Sequence, residues 1–143
     1  MAKILVVDSN HEQAREISAV LRFLDHYAVH AANTGDLTQA IEDDENRFAM
    51  ALFSVCDESD DWKEMIRSAQ KQSAALPMFL VVPEQQSRPN AGDYGNSVLG
   101  LLDYPLKQTH FISAVSQALK YQAEKRTDDN SSWPTHVPRM VGE

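Results

Sequence analysis

The stretch Lys3-Ile4-Leu5-Val6-Val7-Asp8-Ser9-Asn10 decides the fold. Ile4 to Val7 is an apolar run of strand length, Asp8 closes it, and a helical pattern follows. In an α/β sheet, ligands bind outside the carboxyl ends of the strands, so an acid there stands where chemistry is done. The alternative is that Asp8 only starts the turn and caps the next helix, a common use of Asp. The choice depends on what other strands bring to the same edge.

Working outward, Ala14, Ile17, Val20, Leu21 and Leu24 recur at helical spacing and predict a helix over His11 to Leu24 with one buried face. Tyr27 to Ala31 reads as a second strand, Thr34-Gly35 as a turn, and Leu37, Ala40 and Ile41 as a short helix ending in the acidic Glu42 to Glu45. Phe48 to Phe53 is almost unbroken apolar sequence, the mark of a strand buried on both faces of a parallel sheet. Ser54 follows it. After the acidic loop Asp57 to Asp61, the residues Trp62, Met65, Ile66 and Ala69 predict a third helix. Met78 to Val82, between Pro77 and Pro83, is a second fully buried strand.

Glu84 to Ser97 is polar and carries Pro89, Gly92 and Gly95, so a regular helix there is expected to be short or missing. Val98 to Leu102 is a fifth strand, Tyr104-Pro105 a turn, and Phe111, Val115, Ala118 and Leu119 mark a last helix reaching about Glu124. Strands alternating with helices imply a parallel sheet covered on both faces. Five such units fit an α/β flavodoxin-like sheet of order 2-1-3-4-5, whose switch point lies between strands one and three. Asp8, Ser9 and Ser54 stand at that point.

At 143 residues, 43% of them hydrophobic, the chain makes one domain with a tail. Its net charge of −8 argues against holding a phosphate backbone, so no DNA binding by this fragment is expected. No apolar run is long enough to span a membrane and no signal peptide is written. The lone Cys56 suits a reducing compartment, and a cytoplasmic location is expected.

On Ile4-Leu5-Val6-Val7-Asp8, the buried third strand, Leu76-Pro77 and Tyr104-Pro105-Leu106, residues 1–124 resemble a receiver domain of two-component signalling. The family carries an acidic pair after strand one, a phosphoacceptor aspartate ending strand three, a hydroxyl residue after strand four, and a lysine before the proline. Here the first acid is Asp8 and the second position is Ser9. The acceptor position holds Ser54, the hydroxyl position Val82 and the lysine position Tyr104. The resemblance also implies a cis peptide bond at Tyr104-Pro105. Mg²⁺ usually needs at least one or two carboxylates, and a serine without base or metal is a weak nucleophile. The expectation is a pseudo-receiver without catalytic residues, cofactor or metal. Ser54-Val55 followed by an acid, and Val20-Leu21-Arg22-Phe23-Leu24, are similar to the FleQ/FlrA-type flagellar activators of the sigma-54-dependent class. That likeness implies a regulatory domain that acts as a homodimer and on its own AAA+ ATPase domain, with DNA held by a helix-turn-helix elsewhere. Lys125 to Val137 has linker composition, and residues 138–143 resemble the start of the AAA+ domain.

Other constellations are weaker. The acidic loop lacks the Gly and Glu an EF-hand requires. His11, His26, His30, His110 and His136 show no ligand spacing. Two further readings remain: a working receiver that uses Asp57 as phosphoacceptor, and a stand-alone signalling adaptor.

Overall fold

In a computed structural model, residues 2–43 and 47–131 are described, with side chains as far as Lys125. The chain alternates strictly through its first half: β1 (Lys3–Val7), α1 (His11–Phe23), β2 (Tyr27–Ala31), α2 (Thr34–Glu42), β3 (Met50–Ser54), α3 (Asp61–Gln72) and β4 (Met78–Pro83). A single 3-10 turn, Ala91–Tyr94, then precedes β5 (Val98–Tyr104) and α4 (Gln108–Ser131). The five strands are parallel, in the order β2-β1-β3-β4-β5.

The pleat sends alternate residues to two cores. Leu5 and Val7 point with Phe53 and Leu80 toward α2 and α3, while Ile4 and Val6 join Leu52, Phe79 and Val81 beneath α1 and α4. Every residue of β3 is buried, which is why its sequence carries no polar alternation. On α1, Ala14, Ile17 and Leu21 face the sheet; on α4, Phe111, Ala114 and Ala118 do.

Several element boundaries differ from the sequence reading. Thr34-Gly35, expected as a turn, opens α2 behind the cap Asn33, and β3 runs from Met50 to Ser54 instead of from Phe48 to Phe53. β5 runs on to Tyr104, because Asp103 and Tyr104 still pair with Val82 and Pro83, so Tyr104 ends a strand and the turn begins after it. The last helix passes Glu124 and continues to Ser131, into sequence with the composition of a linker. Ala123, Glu124, Lys125 and Arg126 are strong helix formers, and helix needs no apolar face to propagate from a turn already packed. Residues 132–143, which include the expected remainder of the linker and the AAA+ start, lie outside the described residues, as do 44–46 within the acidic end expected for the second helix. Between β4 and β5 the 3-10 turn is the one helical element, as the glycines and proline of that segment predict.

Candidate functional site

The carboxyl ends of β1 and β3 meet through the pairing of Val7 with Phe53, which sets Asp8 and Ser54 side by side. Both are buried. Ser54 Oγ donates to Asp8 Oδ2 at 2.7 Å, and Gln13 Nε2 reaches back from α1 to the same oxygen, also at 2.7 Å. The Asn10 backbone N–H donates to Asp8 Oδ1 at 2.9 Å. The main chain of Asp8 is paired as well: its N–H donates to Ala31 O at 3.1 Å, and its carbonyl accepts from His30 Nε2 at 2.8 Å. A buried carboxylate demands such partners, and here neutral donors supply them. The cap of α1 is Asn10, whose Oδ1 accepts from Gln13 N, so Asp8 is released from capping for this network.

The other expected positions lie around it. Ser9 is exposed. Val82 is buried in the core beneath α2 and α3 and brings no hydroxyl to the edge. The Tyr104 hydroxyl donates to Glu16 Oε2 on α1, bridging the sheet edge to the opposite helix. Burial raises its pKa to about 12, with the Glu16 hydrogen bond and the charges of Glu16, Asp8 and Glu12 adding to the shift. The Tyr104-Pro105 peptide bond is cis.

Above Asp8 and Ser54 the open space is about 20 Å³, walled by Cys56, Asp61, Trp62 and Met65. That is room for about one water molecule. Trp62 Nε1 donates to Cys56 O at 3.1 Å, which closes the loop after β3 over the site. Asp57 lies outside, exposed, its Oδ2 accepting from the backbone N–H and the hydroxyl of Ser87 at 2.9 and 3.0 Å. Its own N–H donates to Gln86 Oε1. Thus Asp57 ties the loop after β3 to the segment after β4. Among the described residues, no three His, Cys, Asp or Glu side chains converge as a metal-ligand set.

Sequence reasoning placed Asp8 and Ser54 but missed Gln13 and His30. Gln13 sits five residues beyond Asp8 in the first turn of α1, which the loop Asp8-Ser9-Asn10 folds back over the strand end, and that turn signal was the available clue.

The fold matches known proteins. A response regulator receiver domain protein from Clostridium thermocellum superposes with a TM-score of 0.72 at 13% identity, over 86% of this chain and 98% of that one. NtrX from Brucella abortus, solved with ADP, gives 0.75 at 18% identity over 98% of this chain and 31% of its own, so this chain spans about a third of that protein. A structure described as an adenylate cyclase from Rhodopirellula baltica gives 0.72 at 16% identity, over 90% of this chain and 95% of that one. These likenesses establish a receiver-type fold. No curated protein sequence matches the chain. The family model described as flagellar regulatory protein FleQ matches residues 3–120. With residues 3–120 of its length inside that match, and a receiver-type fold beneath it, the chain belongs to the family of the flagellar regulatory protein FleQ.

Proposed function

We infer that this chain is the regulatory module of a cytoplasmic, sigma-54-dependent activator of flagellar genes, and that it works without phosphoryl transfer. It acts through contacts with a second copy of itself and with the ATPase domain of the full protein. The observation that carries this reading is the engagement of Asp8 by neutral donors in a closed site. Its carboxylate is held by Ser54, Gln13 and the Asn10 amide beneath a space of about 20 Å³. A phosphoryl group with a hydrated Mg²⁺ needs several times that room, and a Mg²⁺ at Asp8 would have to share a carboxylate that already accepts three hydrogen bonds. The family match and the NtrX likeness support the place of the module in a larger regulator.

The test is direct. Incubated with acetyl phosphate and Mg²⁺, the protein should gain no phosphoryl mass. A stable adduct, lost on Asp57→Asn, would establish the alternative in which Asp57 is the acceptor. Against that alternative, Asp57 is exposed three residues past the end of β3, and its carboxylate is engaged by Ser87. The isolated module should neither hydrolyse ATP nor retain promoter DNA at physiological salt.

A further inference from the structure

The five histidines are scattered in sequence, but the fold brings two of them together at the rim of the sheet, outside the Asp8–Ser54 network. His11 opens α1 and His30 lies near the end of β2, both exposed. Their ring centroids are 5.3 Å apart, with the planes at 87°. His30 is oriented from behind, since its Nε2 lies 2.8 Å from the Asp8 carbonyl oxygen. A carbonyl only accepts, so Nε2 bears the proton and Nδ1 keeps the lone pair. A hydrogen bond from the far ring nitrogen to a backbone carbonyl is the usual support of a metal-ligating histidine. With Zn–N bonds of about 2.0–2.1 Å and ring nitrogens ~1.1 Å from the ring centre, tetrahedral ligation by two imidazoles places their centroids about 5 Å apart. The observed separation matches that spacing. His30 also lines an open recess of about 380 Å³ together with Asp36 and Asp43, whose charges favour a cation nearby.

We propose that His11 and His30 form a two-histidine site for a borderline transition-metal cation, Zn²⁺ or Ni²⁺, with water completing the shell. Imidazole nitrogen suits these ions and not Mg²⁺, so the site is chemically distinct from the metal position of a receiver domain. Occupied, it fastens the start of α1 to the end of β2 directly over the Asp8 main chain. The proposal stands whether or not the module is phosphorylated.

The untagged protein, stripped with chelator, is titrated with Zn²⁺ and separately with Ni²⁺ by calorimetry. One equivalent should bind. His11→Gln and His30→Gln should each weaken binding by more than about tenfold, since losing a supporting partner alone costs 10–100-fold. His110→Gln, on α4, should leave binding unchanged, and Mg²⁺ should give no heat at this site. Both substituted side chains are exposed, so circular dichroism should show intact fold. As a second readout, substoichiometric Ni²⁺ should broaden the imidazole NMR signals of His11 and His30 before those of the other histidines. Absence of saturable binding, binding that survives both substitutions, or earlier broadening elsewhere would overturn the proposal.

Discussion

Asp8 is where the regulatory reading is most exposed to experiment. Ser54→Ala removes one of three donors to a buried carboxylate and should cost about 1–3 kcal/mol of stability in denaturant unfolding. Ser54→Asp should be worse at pH 7, because a second carboxylate would face Asp8 with no cation between them. The loss should shrink near pH 5, where one of the pair takes a proton. Tyr104 gives an independent check. Its pKa is raised to about 12 in the folded protein, chiefly by burial and then by Glu16, so the neutral phenol is favoured by folding. That contribution is present below the unfolded tyrosine value of about 10 and is lost as pH climbs from there through 12. Absorbance at 295 nm should show one tyrosine titrating last, and Tyr104→Phe should delete that step. Asp8 and Ser54 were legible because the apolar runs of β1 and β3 fix where each strand ends. Gln13 and the His11–His30 pair were not, because a polar side chain on a helix surface reads as solvated until the fold supplies its partner.

The segment between β4 and β5 does without a regular helix and is held by side chains instead. Gln70 Nε2 on α3 donates to Tyr94 O and, at 3.0 Å, to Ser97 Oγ. The Trp62 and Tyr94 rings pack at 5.4 Å, and Arg88 pairs with Asp103 on β5. Gly95 turns the chain into β5 with φ +96°, and a Cβ there would stand 3.3 Å from Gln70 Nε2. Gly95→Ala should therefore cost about 1–2 kcal/mol, seen as a lower unfolding midpoint and faster amide exchange over residues 84–97. The lack of a helix was legible from glycine and proline content. The ties that replace it were not, since each joins residues far apart in the chain. At the opposite edge, His26 Nδ1 accepts from Ala2 N at 3.1 Å, and its ring meets Phe111 edge-on. Burial, then the charge of the amino terminus, lowers its pKa, while Asp25 opposes them. A lowered histidine pKa contributes stability above the unfolded value of about 6.5 and loses it as pH falls below. His26→Phe should flatten the stability profile on the acid side.

For the molecule as a whole, the parallel sheet came from pattern: continuous apolar runs in β3 and β4 demand cover on both faces, and the five units were matched to the flavodoxin-like order, one of the few such windings. The length of α4 was hidden, because helix formers and linker residues overlap from Lys125 onward. Deleting residues 1–124 from the full regulator should change its assembly or flagellar transcription, measured by reporter and by sedimentation. Unaltered regulation would refute the module reading.

Among the described residues, α4 has 24 residues, about 36 Å of helix at 1.5 Å per residue, and β5 beneath it has only seven. Gln122 Nε2 of that helix donates to Phe48 O at 2.9 Å and so ties it to the body. The nine residues beyond Gln122, to Ser131, make an arm of about 13 Å. A tilt of about 10° in the seat of α4 would swing the tip of that arm by about 2 Å, a displacement on the scale of a helix shift at a subunit interface. The helix thus has the build of a lever, in which a small change where the sheet holds it becomes a larger displacement at its far end.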